Sequence, residues 1–285
     1  KPTGMRFFLM LRTLGSFAAC LSKATGGRMP ADHETIRIWG LTGGKTAKDF
    51  FLFREVLGGG GPGRPWADGS DVVHIVPNSR NLPAEFSETR YPILIVQLAL
   101  KQDSGGAGMR RGGLGYDKKI RTREQCRLIS NADRSMLGCY GVNGGKAGGS
   151  YQVAVETAAG NVTRHPGMTD TEKVASGDAV RIVTTGGGGW GDPLKREVDL
   201  VVYDVQCGLV SPPAAERDYG VVVTLNGRKW VADAVATERL RASLSTRRGV
   251  PPMFDRGPHF EAQKAAGRVK YPNGWTDPDA GWFAT

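Results

Sequence analysis

Apolar residues recur every three positions at Phe8, Leu11, Leu14 and Phe17 and continue at Leu21, a spacing that predicts an amphipathic helix over residues 5–20. Arg12 interrupts the apolar run, so the stretch reads as a packed helix rather than a leader peptide, and it is far short of a membrane span. The period then changes. Residues 50–57, 72–76, 93–101, 127–130, 152–156 and 180–185 are short runs of branched and aromatic side chains, which predict strands. Glycine clusters at 58–61, 105–115, 144–149 and 186–191 separate these runs, so the body is β-rich and its turns carry much of its identity.

Near the C-terminal end helical signals return. Asp192-Pro193 supplies an N-cap and a proline in the first turn, ahead of an apolar stripe at Leu200, Val201, Val205 and Leu209. Ser211-Pro212 repeats the start signal, and Gly220 supplies the stop. Asn226-Gly227 between two apolar runs predicts a hairpin, followed by a helix over 234–244. The expected fold is therefore α+β: a β-rich, glycine-rich body over residues 1–248 with a few short helices near its end, then a proline-rich extended tail over 249–285. Trp275, Trp282 and Phe283 in that tail fit either a subunit contact or packing within the chain.

Composition sharpens this picture at one point. Forty-one of the 285 residues are glycine, roughly twice the usual share, which calls for close backbone approaches and tight turns. The chain is long enough to bury a core without disulfides. Its four cysteines form no Cys-x-x-Cys pair, which points to a reduced, cytoplasmic protein. The net charge of +10 is compatible with nucleic acid, an anionic surface or acidic small molecules and selects none of them.

Local motifs decide little more. Gly40-Leu41-Thr42-Gly43-Gly44-Lys45-Thr46 resembles a phosphate loop, but Trp39 stands where the first glycine is required, so a solvent-facing turn is the better reading. The tract from Thr185 to Asp192 precedes an expected helix, yet it lacks the acidic ribose ligand of a dinucleotide site, so it is read as backbone packed against a neighbour rather than as an anion cradle. Between Arg110 and Arg134 basic residues outnumber acidic ones, yet only Tyr116 interleaves as a stacking platform, so no nucleic-acid groove is expected. None of His33, His74, His165 and His259 has a metal-pair spacing. His74, on an expected strand, leads into Asn78, Arg80 and Asn81, a convergence of imidazole, amide and guanidinium groups at a strand exit. No nucleophile elbow or Cys-His order is present.

Taken together, several tracts resemble the B-subunit family of ATP-dependent hydantoinases and oxoprolinases. They are Asn78-Ser79-Arg80-Asn81-Leu82-Pro83-Ala84-Glu85, Asp103-Ser104-Gly105-Gly106-Ala107-Gly108 with Arg111-Gly112-Gly113-Leu114-Gly115, Gly141-Val142-Asn143-Gly144-Gly145-Lys146-Ala147-Gly148, and Gly186 to Pro193 with Gly208-Leu209-Val210-Ser211-Pro212, Asp218-Tyr219-Gly220-Val221 and Phe254-Asp255-Arg256-Gly257-Pro258. Their order spans about residues 30–260. The resemblance implies a subunit matching the C-terminal half of a B subunit and acting on a small-molecule substrate together with an ATP-binding A-type subunit and the N-terminal half of B. ATP and Mg would sit on the partner, and a divalent metal, Zn or Mn, in the N-terminal half, with none held by this chain. The implied reaction is ATP-dependent hydrolysis of a cyclic amide of the hydantoin, 5-oxoproline or lactam type. Carboxylation of a ketone by the related carboxylases, or a scaffold role without chemistry, are the alternatives. The resemblance carries over no catalytic residue; His74, Asn78, Arg80 and Asn81 are the substrate-binding candidates.

Overall fold

The computed structural model describes residues 6–34, 36–44, 46–74 and 80–269. Helix α1 (Arg6–Ala24) leads into two antiparallel sheets. The first is formed by β1 (Arg37–Gly43), β2 (Phe51–Leu57), β5 (Cys126–Asn131) and β9 (Met168–Val174) in the order β2-β1-β5-β9. The second contains β3 (Ile93–Leu100), β4 (Tyr116–Thr122), β7 (Gln152–Glu156), β8 (Val162–His165) and β10 (Ala179–Val183), ordered β3-β4-β10-β7-β8. A short helix α2 (Ala84–Arg90) lies against β3, and β6 (Gly141–Val142) follows the second glycine-rich stretch.

Alternation along the strands turns one face of each sheet inward, and Trp39, Leu41, Phe53, Leu57 and Leu128 meet Ile93, Ile120, Val153, Val180 and Ile182 in one core. Trp39 and Phe53 pack edge to face at 5.6 Å, and Phe53 and Tyr91 at 5.3 Å. Two buried positions facing this core are charged and pair with each other. Lys118 of β4 reaches across to Glu55 of β2, with Nζ 2.7 Å and 2.6 Å from the two carboxylate oxygens.

Beside the sandwich the interior is made of backbone. The amide of Gly186 donates to Gly149 O, that of Gly187 to Gly113 O, that of Gly188 to Asp32 O and that of Gly189 to Lys146 O. Gly186 and Gly189 thus share the 146–149 segment as partner, while Gly60 and Gly63 donate to Thr185 O and Gly188 O. A return to the same neighbour every third residue is the period of a polyproline II helix, and it lets one chain bond to neighbours on several sides. Side chains have no room. A Cβ on Gly186 would stand 1.7 Å from Ser104 O, and one on Gly187 1.9 Å from Gly61 O. The expectation of packed backbone here holds, and the glycine clusters are core as well as turn.

A second apolar core belongs to the C-terminal elements. Asp192 caps a single 3-10 turn, and the helix begins only at α3 (Val198–Gln206), which turns Val201 and Val205 inward. Helix α4 (Pro212–Tyr219) starts at the Ser211 cap and ends at Gly220, which adopts the left-handed conformation at φ 63°. The hairpin β11 (Val223–Asn226) and β12 (Lys229–Ala232) turns at Gly227, followed by α5 (Ala234–Arg248). Arg196 joins this unit to the glycine lattice through Asp68 at 2.7 Å and Asp204 at 2.8 Å.

Three expectations change. Helix α1 forms, but Leu11, Gly15 and Ser22 face the protein while Leu14 and Phe17 are 50% and 59% exposed. Tyr140 explains the rotation: its hydroxyl donates to Gly15 O at 2.7 Å, and at that point the helix lies close to the Asp32 side chain, 3.2 Å from where a Cβ on Gly15 would stand. Residues 72–74 form a turn with one bridge, Val73 to Gly59, because Val72 takes φ 46°, which no strand accommodates. Finally, the stretch expected as an extended tail carries β13 (Phe254–Asp255), paired with β6, and α6 (Pro258–Ala265), started by the proline itself. Trp275, Trp282 and Phe283 lie outside the described residues.

Candidate functional site

The glycine run 58–61 leaves β2 and enters the backbone lattice, and the titratable groups gather along it. A Cβ on Gly58 would come within 3.2 Å of the His74 ring, and one on Gly59 within 2.7 Å of the Glu34 side chain. Two glycines therefore bring an imidazole and a carboxyl to consecutive positions of one extended segment. Asn81 hydrogen-bonds to His74 and donates from Nδ2 to Val56 O at 2.9 Å, closing the free edge of β2 next to the site. Burial lowers the His74 pKa, opposed by the Asn81 contact, so the ring is neutral at neutral pH and able both to donate and to accept.

The structure thus unites two of the four candidates. Arg80 is exposed, and Asn78 lies outside the described residues. Among the described residues no group of three His, Cys, Asp or Glu side chains is arranged to hold a metal ion.

Sequence reasoning missed a buried ionic cluster on the far side of the same glycines. Asp32 accepts from Arg134 and faces Arg12 at 3.7 Å; Glu34 faces Arg37 at 3.6 Å; Arg37 donates to Asp133 at 2.7 Å. His33 Nδ1 is bonded to Glu34 O at 2.7 Å. Burial raises the Asp32 carboxyl to about 7, Arg12 pulling against it, and raises Glu34 to about 8, Arg37 pulling against it. Both acids therefore change charge in the neutral range. The local signal is unhelpful, since an Asp-His-Glu run reads as a polar loop, and its partners lie up to 108 residues away.

A stability prediction follows from these two groups. Their folded pKa values lie above those of the unfolded chain, so their contribution is complete below about pH 4 and is lost as pH rises through about 7 for Asp32 and about 8 for Glu34. The thermal midpoint should fall between about pH 5 and pH 8, and Glu34→Gln should flatten that fall. Differential scanning calorimetry across this range checks it; an unchanged slope in the variant would count against a neutral Glu34 in the folded protein.

The basic stretch 110–134 does not form one patch. Arg111 pairs with Asp71 and Asp204, Lys118 with Glu55, Lys119 with Glu156 and Arg134 with Asp32, leaving Arg121, Arg123 and Arg127 exposed. No described helix is long and apolar enough to cross a membrane.

Comparison with known proteins agrees with the motif reading and shortens its reach. The hydantoinase B/oxoprolinase family matches residues 1–193 and stops well before residue 260. An uncharacterized protein of Methanocaldococcus jannaschii, MJ0963, is 39% identical over 194 residues, covering 67% of this chain and 34% of that protein. The caprolactamase subunit beta of Pseudomonas jessenii is 34% identical over 168 residues, covering 56% of this chain and 28% of its own. A solved nucleotide-free acetone carboxylase shares the fold, with a TM-score of 0.67 at 19% identity over 86% of this chain and 37% of that one. The chain spans about a third of the length of these relatives, where the motifs imply half of a B subunit. With two thirds of its residues under the family match, the chain belongs to the hydantoinase B/oxoprolinase family.

Proposed function

We propose that this chain is part of the B-type component of an ATP-dependent enzyme that opens a cyclic amide. The observation that carries this reading is the family match together with the likeness to a caprolactamase beta subunit. The partners are an ATP-binding A-type subunit and the remaining portion of a B subunit; ATP and Mg belong to the former, and any Zn or Mn to the latter. Four free cysteines suit a reducing compartment, and we place the complex in the cytoplasm.

The chemistry requires help because an amide is a poor electrophile. Phosphorylating the carbonyl oxygen with ATP releases ADP, water adds at the carbon, the ring C–N bond opens to leave an acyl phosphate, and a second water hydrolyses that to carboxylate and phosphate, consuming one ATP and two waters. In this scheme His74 and Asn81 supply a neutral hydrogen-bonding pair beside the substrate, Asn78 a further amide and Arg80 a cation for a developing oxyanion. The glycine run at 58–59 holds His74, with its Asn81 partner, against the end of β2.

Reconstitution with the A-type subunit and the remaining B portion tests this reading, using hydantoin, 5-oxoproline and caprolactam with ATP, with and without bicarbonate. Amide-dependent ADP release independent of bicarbonate is expected. Release that requires bicarbonate and a ketone would make the complex a carboxylase, and assembly without any turnover contribution from this chain would make it a scaffold. Arg80→Ala should lower kcat/KM about tenfold, a loss of about 1.4 kcal/mol; unchanged kinetics would remove Arg80 from the site.

A further inference from the structure

The outer face of the sheet β2-β1-β5-β9 is covered by no described helix. Strand register places Ile38 and Thr42 of β1, Leu52, Arg54 and Val56 of β2, and Arg127 and Ile129 of β5 on that face, opposite the buried row of Trp39, Leu41, Phe53 and Leu128. Two features set it apart from an ordinary solvated face. Leu52 is 45% exposed and Met168, at the end of β9, 56%. At the centre, Gly40 leaves a hollow of about 210 Å³ walled by Ile38, Leu52, Arg54, Ile129 and Asn131.

The charges around this hollow are also unusual. Arg127 and Lys173 stand directly opposite one another on β5 and β9. Like charges in that position destabilise a sheet. Neither they nor Arg54 has a carboxylate within ion-pair distance among the described residues, although the chain pairs most of its other central cations. Beyond Thr42 the same face opens into a cleft of about 860 Å³ that Arg123, Arg127 and Lys173 line with Phe50. Asp49 and Glu124 line it as well, so cations outnumber acids there by three to two, and Asp49 is engaged by Thr46.

An apolar hollow with one unpaired cation, Arg54, on its wall and two more, Arg127 and Lys173, in the cleft beside it is the layout of an interface that accepts one large apolar side chain in the hollow and carboxylates to one side of it. We propose that this sheet face docks a partner protein through a segment in which acidic residues flank a leucine- or phenylalanine-type anchor. The anchor fills the hollow at Gly40, and the carboxylates neutralise Arg54, Arg127 and Lys173, relieving the opposed pair. A second copy of this chain is a poor occupant, because it would bring a cationic face against a cationic face on a chain of net charge +10. Nucleic acid is disfavoured as well, since the face is centred on aliphatic side chains and offers no row of aromatic platforms.

The probe is a fluorescein-labelled peptide with a central Leu-Phe pair between runs of glutamate, and its control replaces the glutamates by lysine. Fluorescence anisotropy with the full chain should show binding of the acidic peptide alone, weakening as salt rises. Arg54→Glu combined with Arg127→Glu should lower the affinity at least tenfold, and Leu52→Asp should lower it separately. All three sites are exposed, and unchanged circular dichroism and thermal midpoints confirm that the variants fold. Equal binding of the two peptides, binding of neither, or affinity untouched by charge reversal overturns the proposal. So does preferential binding of single-stranded oligonucleotide or of phosphatidylserine vesicles through the same arginines, or a dimer that Leu52→Asp dissolves.

Discussion

Gly187→Ala should be among the most damaging single methyl groups that can be added to this protein. Its Cβ would lie 1.9 Å from Gly61 O and 2.5 Å from Gly61 C, both backbone atoms, so no side chain can swing aside to admit it. Relief requires the 60–63 segment to withdraw, and that breaks the bonds from Gly63 to Gly188 and from Gly113 to Gly61 together with the alanine's own contact. Overpacking a well-packed interior ordinarily costs about 1–3 kcal/mol through side-chain and backbone adjustment. Here three bonded neighbours are fixed at once, and the expected loss is about 4 kcal/mol or more, in the range reserved for exceptional lesions. That corresponds to a midpoint roughly 10 °C lower, or to failure to accumulate as soluble protein. Gly208→Ala is the control: Gly208 has a left-handed φ of 70° but open space around it, so the cost is limited to backbone strain of about 1 kcal/mol. Thermal denaturation of the two variants side by side separates packing from conformation. Equal midpoints would mean that the glycine lattice tolerates expansion and is not a close-packed core.

That lattice also marks the boundary of what is legible in the sequence. Where the controlling interactions are local, reading from the residues succeeds: the Ser211 cap, the Gly220 stop and the Asn226-Gly227 hairpin all sit where the residues place them. Strands with clear alternation, such as 152–156, are equally legible. β1 is not, because Gly40 and the Gly43-Gly44 pair make it look like a loop. β4 is not, because Tyr-Asp-Lys-Lys-Ile-Arg-Thr carries Lys118 at a core position, where only a partner 63 residues away makes a charge tolerable. The candidate site divides in the same way. His74 and Asn81 are close in sequence and emerge together, whereas Asp32 and Glu34 owe their burial to Arg134, Tyr140 and the glycine run, none of which is adjacent. Motifs such as Asp103-Ser104-Gly105-Gly106 lead to the family because glycine at each position is dictated by backbone contact. The role of each glycine becomes visible only when its neighbours are in place.

Lys118→Met should destabilise the protein by about 3–5 kcal/mol, because it strands the Glu55 carboxylate between the two sheets. Both side chains are 2% exposed, and each oxygen of Glu55 has Lys118 Nζ as its hydrogen-bond partner. Removing the lysine therefore removes the only nearby cation that the described contacts provide to that carboxylate. Glu55→Leu alone should be comparably harmful, since it leaves an ammonium group among Phe53, Leu57 and Ile120. The double variant Glu55→Leu with Lys118→Met removes both charges and substitutes apolar groups of similar size, so it should recover to within about 2 kcal/mol of the parent or exceed it. Chemical denaturation of the four proteins yields the coupling energy directly. A double variant as unstable as the sum of the singles would show that the pair acts independently and that its burial is not the source of the cost. Recovery in the double variant, by contrast, would identify Glu55–Lys118 as a device for fixing register: the two sheets share no backbone hydrogen bond in their strand ladders, and a charge on each aligns β2 against β4 more narrowly than interchangeable aliphatic side chains can.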